Sequence, residues 1–272
     1  MAQPKVSKIG FIGAGQMAKA LAGGIAGSQP GHYQVLFFDP SEPTSQLFRN
    51  ALSGTAEVIA APSNQDVVTQ SEVVFIAVKP HLVEKAIASV SFETNPLVIS
   101  VAAGVEFDSL SRWTGIARII RAMPNTPCLI GQGAIGFAAG TGINEDDLAL
   151  AQALLQSVGI ALPVAPHLLD AVTGVSGSGP AYVYTFVEAM IDGGVLTGLP
   201  RPVARELALQ TVLGAASMIQ QLGEHPGVLR DQVTSPGGTT IEGLKALEDQ
   251  GFRSAVMSAI LAAKTRSEEL GK

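Results

Sequence analysis

Short apolar runs alternate with segments of helical periodicity through the first part of the chain. The runs span residues 9–12, 35–38, 73–78, 97–101, 116–120, 134–137 and 161–164. Those at 73–78 and 97–101 are almost wholly apolar, as expected for strands covered on both faces of a parallel sheet. Between the first two runs, Met17, Leu21 and Ile25 recur at helical spacing, and further helices are expected after Ser63 and over residues 146–155. This alternation predicts an α/β fold with a doubly wound, Rossmann-like sheet.

The pattern changes after Pro166, where no strand pattern remains. Helical periodicity starts at Pro180 and again at Pro202, and it continues over residues 241–247 and 255–270. Both prolines suit the first turn of a helix, where a missing N–H costs no hydrogen bond. The sequence therefore predicts two domains: a dinucleotide-binding domain of residues 1–165 and an all-helical domain of residues 166–272.

Composition narrows the class of protein. Of 272 residues, 47% are hydrophobic and only 15% are charged, so we expect a partner subunit to cover part of the surface. The net charge of -6 argues against nucleic-acid binding. The single cysteine, Cys128, excludes an intramolecular disulfide. Without a signal-like start or an apolar run near the ~20 residues of a membrane span, we expect a cytoplasmic protein that does not enter a membrane.

A glycine-rich turn follows the first strand. In Gly13-Ala14-Gly15-Gln16-Met17-Ala18, the first glycine allows a tight turn and the second allows the backbone to approach a pyrophosphate. Alanine takes the third position, where helix and strand pack. The strand–turn–helix context favours a dinucleotide site over a simple connecting turn.

Two charged residues near this turn have open roles. Asp39 ends the second strand, where an acid bonds the ribose of NAD and repels a 2′-phosphate; alternatively it only starts the turn toward Ser41. Ser41 is able to donate to a phosphate. Lys79 ends a strand at the ligand-binding edge and either meets the cofactor or is a solvated lysine.

A second glycine-rich loop, Thr234-Ser235-Pro236-Gly237-Gly238-Thr239-Thr240, precedes a helix pattern. A helix start presents unpaired N–H groups and a partial positive charge, which favour a small anion such as a carboxylate. A dinucleotide turn together with a carboxylate site predicts a nicotinamide enzyme that acts on a small acid.

The histidines, the cysteine and Arg121 are expected to have structural roles. The four histidines are scattered and show no metal-ligand spacing, so we expect no metal site. His225 is expected to start a helix rather than act as an acid. Cys128 is expected to pack in the core. Arg121 either balances a carboxylate or pairs with an acid, and we favour the pair.

The chain resembles the pyrroline-5-carboxylate reductase family over essentially its whole length. The matching segments are residues 11–17, 77–80, 100–104, 121–127, 175–182 and 234–240, the last preceded by 224–227. The first is shared by many dehydrogenases, whereas the last three together are specific. Gln16 stands where the family usually has Asn, and Asp39 where many members have small or basic residues.

The resemblance implies reduction of 1-pyrroline-5-carboxylate to L-proline with NADP(H) or NAD(H). It also implies a helical domain that interlocks in homodimers, with five dimers gathered into a decamer. The residues expected to contact the cofactor are Ile12, Gly13, Ala14, Gly15, Gln16, Met17, Asp39, Ser41, Asn64, Ala77, Val78, Lys79, Pro80, Ala102, Ala103 and Gly104. Those expected to contact the substrate are Ser176, Ser235, Gly238, Thr239 and Thr240.

The cofactor supplies the hydride, so the protein mainly has to orient the nicotinamide ring and the imine ring of the substrate. Thr240 is the expected catalytic residue, because its hydroxyl is able to donate to the imine nitrogen; the alternative is a threonine that only supports the helix. On sequence alone, Ser176 is expected to cap a helix. Rival functions are a reductase for six-membered cyclic imines and a nucleotide-sensing module without turnover.

Overall fold

Residues 7–271 are described by the computed structural model, and their strands form one mixed sheet. The strands are β1 (Lys8–Ile12), β2 (Gln34–Phe38), β3 (Glu57–Ala60), β4 (Val73–Ile76), β5 (Leu97–Ser100), β6 (Ile119–Met123), β7 (Gly133–Ala139) and β8 (Gly159–Pro163). Their spatial order is β3-β2-β1-β4-β5-β6-β7-β8. Neighbours are parallel except β6 and β7, which run antiparallel. The crossover from β3 back to β4 gives the doubly wound topology.

Helices connect most of the strands and, after the last strand, are the only regular elements besides short helical turns within residues 7–271. They are α1 (Gln16–Ser28), α2 (Glu42–Ala51), α3 (Asn64–Gln70), α4 (Val83–Ile87), α5 (Phe107–Thr114), α6 (Glu145–Gln156), α7 (Leu169–Val172), α8 (Gly179–Leu196), α9 (Arg201–Leu222), α10 (Pro226–Gln232), α11 (Thr239–Asp249) and α12 (Phe252–Leu270). Within the described residues, none of these helices is long and apolar enough to cross a bilayer.

Both faces of the sheet are buried, which explains why the central strands are apolar throughout. Successive side chains of a strand point to opposite faces. Accordingly, Phe11 and Phe75 stack with ring centroids 4.9 Å apart in one core cluster, whereas Ile12 and Ile76 lie in the other. A single polar residue in the middle of β1 or β4 would therefore enter a core whichever face it met.

The predicted fold class is confirmed, with several differences in detail. β3 was not predicted, because this four-residue edge strand is only partly buried and lacks a long apolar run. β6 begins at Ile119, three residues after the predicted strand start, and the antiparallel direction of β7 was not foreseen. Helix α10 was also missed, although His225 was identified as a helix start.

The chain divides into two compact units. One comprises the residues up to Ser178 together with those from Leu261 onward, and the other comprises Gly179 to Ile260. The predicted boundary after residue 165 marks the end of the strands and stays a prediction of domain organisation. The sheet-containing unit thus includes α7 and the last turns of α12.

A π-helical turn at Thr173–Gly177 ends the first unit, and it has a specific partner in β6. The backbone carbonyl of Ser176 would bond the N–H four residues on, but Pro180 has none. Instead, Asn125 Nδ2 donates to this carbonyl at 3.1 Å, while Asn125 Oδ1 accepts from the N–H of Ala134 at 3.0 Å. The buried Asn125 amide therefore satisfies a carbonyl that the proline leaves unpaired.

Replacing Asn125 by Asp should destabilise the protein by about 1–3 kcal/mol, because the variant loses a donor and faces a buried carbonyl with a carboxylate. The matched control is Asn144→Asp. Asn144 caps α6 by accepting from the N–H of Asp147, and Asp caps equally well. Thermal and urea unfolding at fixed protein concentration measure both changes, and equal stability of the two variants would contradict this role of Asn125.

Candidate functional site

The described residues form a cavity of about 610 Å³ at the carboxyl ends of β1, β2 and β4, which is a volume typical of small-molecule sites. Gly13, Gly15, Asp39, Asn64 and Lys79 all line it. Ligands of doubly wound sheets bind at this edge, where the strand order reverses. The structure therefore brings these sequence-predicted cofactor residues together at one cavity.

Two glycines in the turn between β1 and α1 meet different demands. Gly13 has φ +93°, and a Cβ there would lie 2.8 Å from Val78 Cγ1 and 3.0 Å from the Ala77 carbonyl oxygen. The fold itself therefore requires glycine at this position. Gly15 has φ -67° as the residue before α1, and a Cβ there would meet no protein atom within 4 Å. No protein atom requires this second glycine, which suits the N-cap of α1, and a ligand that approaches the start of α1 would give it a steric reason.

Asp39 ties the end of β2 to the glycine-rich turn. Its Oδ2 accepts from the N–H of Ala14 at 3.0 Å, and its Oδ1 accepts from the N–H of Ser41 at 2.9 Å. The turn-forming role is therefore present in the structure. The same carboxylate lines the cavity, so its charge also faces whatever binds there. The Ser41 hydroxyl accepts from the N–H of Thr44 and caps α2.

Asn64 carries an unsatisfied polar atom at this cavity. Its Nδ2 donates to the Ala86 carbonyl at 2.9 Å, whereas its buried Oδ1 has no partner among residues 7–271. An unpaired buried acceptor costs about 1–3 kcal/mol, which a donor group of a ligand would recover. Lys79 and Lys85 line the same cavity and supply positive charge suited to phosphates, and His81 lies beside them. This donor and acceptor set fits a phosphorylated dinucleotide.

A second cleft in the same unit lies beyond β5. Ala102, Ala103 and Gly104 line it together with Arg121 and Asp170. Arg121 is buried, and its Nη1 lies 2.5 Å from Glu106 Oε2. Its guanidinium also lies over the Phe107 ring, 5.3 Å from the centroid. The expected pairing of Arg121 with an acid is confirmed.

In the second unit, the loop before α11 leaves a helix start open. Gly238 precedes the helix, and no side chain caps it. A Cβ on Gly238 would lie 2.3 Å from Ser235 Oγ, so the loop closes this tightly only with glycine. The Thr240 residue is partly buried, and its hydroxyl has no hydrogen-bond partner within the described part of the chain. These unpaired groups are able to receive a small carboxylate.

Three other sequence expectations have structural outcomes. Ser176 caps no helix: its hydroxyl donates back to the Val172 carbonyl at 3.1 Å, and its contact with substrate stays a prediction. Cys128 is buried, and burial raises the pKa of its thiol, which confirms a packing role. His225 Nδ1 accepts from the N–H of Gly227 at 3.1 Å and starts α10, as expected. Residues 7–271 contain no His, Cys, Asp and Glu group able to hold a metal.

Sequence reasoning missed Asn125, Glu106, His81 and Lys85. Asn125 lies in residues 121–127, which match the family but carry no local pattern that indicates a role for this residue. Its role depends on a hydrogen bond to the Ser176 carbonyl, 51 residues further along the chain, and no local sequence pattern predicts such a contact. His81 and Lys85 carry a usable signal, since they follow Lys79 at the edge where ligands bind.

Comparison with known proteins decides the family. A pyrroline-5-carboxylate reductase of Synechocystis sp. is 47% identical over 267 residues, which cover 97% of this chain and 98% of the relative. The chain belongs to the pyrroline-5-carboxylate reductase family. A reductase of Arabidopsis thaliana is 44% identical over 270 residues, covering 97% of this chain and 96% of the relative.

A solved structure of a family member agrees in fold. The Plasmodium falciparum pyrroline carboxylate reductase with NADP bound has a TM-score of 0.86 and 31% identity, covering 100% of both chains. Two family models match separate parts of the sequence. Pyrroline-5-carboxylate reductase dimerisation matches residues 166–270, and NADP oxidoreductase coenzyme F420-dependent matches residues 8–104. In this pyrroline-5-carboxylate reductase family member, residues 166–270 therefore form the part that mediates association, and residues 8–104 belong to the oxidoreductase part.

Proposed function

We propose that this chain reduces 1-pyrroline-5-carboxylate to L-proline, the final step of proline biosynthesis. The observation that carries the proposal is the match to curated pyrroline-5-carboxylate reductases over nearly the whole of both chains. The open start of α11 supports it independently, because a carboxylate is the group that such a helix start favours.

NADP(H) is the proposed cofactor, with NAD(H) as the alternative. The Plasmodium falciparum relative holds NADP, and the cavity here offers positive side chains and the unpaired Asn64 Oδ1. The first turn of α1 would hold the pyrophosphate, residues 77–80 would border the cavity, and residues 102–104 would face the nicotinamide. When bound, the cofactor supplies the hydride.

The chain's own contribution is binding and orientation. Ser235, Gly238 and Thr239 would surround the substrate carboxylate at the start of α11, with the N–H of Thr239 as donor, because the N–H of Gly238 donates to the Ser235 carbonyl at 3.1 Å. The Thr240 hydroxyl would donate to the ring nitrogen and make the adjacent carbon a better hydride acceptor. Ser176 is the fifth proposed substrate contact.

Association through the helical part follows from the dimerisation match. We propose a homodimer, with a decamer of five dimers as the larger form and the cytoplasm as the location. Among residues 179–260, only Ala204 and Ala208 are buried hydrophobic residues, so the helices of this unit need a covering partner.

Purified protein should oxidise NADPH or NADH when 1-pyrroline-5-carboxylate is added, and L-proline should form in equal amount. Absorbance at the nicotinamide band follows the oxidation, and amino-acid analysis identifies the product. Absence of turnover with both cofactors would contradict the proposed function.

Thr240→Val should lower kcat about 10- to 100-fold while NADPH affinity stays within twofold, because the variant loses only the hydroxyl. The control is Thr69→Val, which removes an exposed hydroxyl that bonds the Gln65 carbonyl on α3. Steady-state kinetics and cofactor titration measure the two effects. A variant with unchanged kcat would leave Thr240 with a purely structural role.

Asp39→Asn should shift the preference between NADPH and NADH toward NADPH by roughly tenfold, or about 1.4 kcal/mol. The amide removes the charge but still offers an acceptor to Ala14 or Ser41. Asp39→Ser should shift it in the same direction. The ratio of kcat/KM values for the two cofactors is the measurement, and an unchanged ratio would restrict Asp39 to holding the turn.

A further inference from the structure

The last turn of α12 lies directly against the loop that follows β5. Gly104 has φ +75°, and a Cβ there would lie 3.4 Å from the Gly271 nitrogen and 3.5 Å from the Ser267 carbonyl oxygen. Conversely, a Cβ on Gly271 would lie 2.6 Å from the Gly104 carbonyl oxygen. The two backbones therefore lie close together with no side chain between them. Gly104 is favoured by its positive φ, whereas a Cβ on Gly271 would force the Gly104 carbonyl to move.

A buried hydrogen bond holds the same helix turn in place. Ser267 is 4% exposed, and its hydroxyl donates to Asp170 Oδ1 at 2.6 Å. Asp170 belongs to α7 and lines the narrow cleft that Ala102, Ala103 and Gly104 also line. The hydrogen bond thus joins the last turns of α12 to a residue that lines the same cleft as this loop.

The loop has small side chains at residues 102–104, and Ala102 and Val105 hold it to a core cluster. Its nearest charged neighbour is Glu106, which pairs with the buried Arg121 at 2.5 Å. Glu106 Oε1 also lies 3.7 Å from the position of a Cβ on Gly271. The helix end therefore packs against both the loop and the ion pair that follows it. Small residues leave room for a ligand ring, and this packing adds to the core contacts of Ala102 and Val105 that hold the loop in place.

We propose that residues 267–271 are a positioning element for the nicotinamide end of the cofactor. This inference rests on the proposed function, in which residues 102–104 face the nicotinamide. Hydride transfer depends steeply on the placement of the donor carbon, and a shift of 1 Å suffices to cost 100-fold in rate. Ser267, Asp170 and Gly271 act through the loop and touch no reacting atom.

The test uses Ser267→Ala in the full-length protein, with Arg266→Ala as a control. Arg266 is exposed on the same helix turn and pairs only with Glu269 among the described residues. Ser267→Ala should lower kcat about 5- to 20-fold, while the affinity for ADP-ribose, which lacks nicotinamide, stays within twofold of the wild type. Asp170→Asn keeps an acceptor for Ser267 and should retain most of kcat.

Gly271→Ala is a second test variant in case Ser267→Ala folds poorly. The Cβ of the new alanine would displace the Gly104 carbonyl. It should reproduce the selective loss of kcat. An unchanged kcat in both variants, or a parallel loss of ADP-ribose affinity, would overturn the proposal. The ratio of NADPH to ADP-ribose affinity, read by fluorescence titration, tests the placement without turnover. It therefore separates a failure of this inference from a failure of the proposed function.

Discussion

Leu213→Glu should convert the protein to monomers and remove nearly all imine reduction. Leu213 lies in the middle of α9 with 62% of its side chain exposed in the single chain. A buried unpaired carboxylate costs several kcal/mol, so a glutamate there would oppose a subunit interface that covers it. Sedimentation velocity and steady-state assays at the same protein concentration measure the two effects.

The control is Leu47→Glu, the same substitution at a leucine that is 58% exposed on α2 of the other unit. This variant should keep the wild-type assembly and activity. A Leu213→Glu protein that sediments as the wild type and turns over normally would show that α9 presents this residue to solvent.

The physical basis is the apolar surface of the helical unit. Its large exposed hydrophobic residues include Tyr184, Leu196, Leu213 and Met257, each at least 62% exposed in the single chain. A monomer with so much apolar surface in water would be poorly stable and prone to aggregate. Obligate homodimers often lack a stable folded monomer, so loss of association should also lower the helix content.

Much of the fold could be predicted because it follows from local patterns. Apolar runs located β1, β4 and β5, since strands covered on both faces require such runs. The edge strand β3 and the direction of β7 could not be predicted in the same way. An edge strand buries little, and whether a strand runs parallel or antiparallel depends on the path of its connection rather than on its own residues.

In the candidate site, too, features that are continuous in sequence could be predicted, whereas contacts between distant segments could not. The glycine-rich turn and the start of α11 are continuous in sequence, so both could be located from their residues. The substrate contacts expected at the start of α11 follow from the family resemblance and stay predictions. The hydrogen bonds of Asp39 to Ala14, of Asn125 to Ser176 and of Ser267 to Asp170 join separate elements. These contacts depend on how distant segments pack, which a single sequence does not reveal.

Gly15→Ala should weaken NADPH binding at least 100-fold while leaving the fold almost unchanged. In the protein alone, the added methyl group meets no atom within 4 Å, and the backbone φ of -67° suits alanine. The expected loss of stability is below about 1 kcal/mol, the usual cost of alanine at a helix cap. The pyrophosphate, however, needs close approach to this backbone, and a Cβ would occupy that space.

Two further variants make the test specific. Gly27→Ala adds a methyl group that meets no protein atom, near the other end of α1, and should bind NADPH normally. Gly13→Ala should instead destabilise the fold, because its φ is +93° and its Cβ would lie 2.8 Å from Val78 Cγ1. Fluorescence titration and thermal unfolding separate the three outcomes. If Gly15→Ala bound NADPH within threefold of the wild type, the cofactor phosphates would have to lie away from the start of α1, because no protein contact explains glycine at that position.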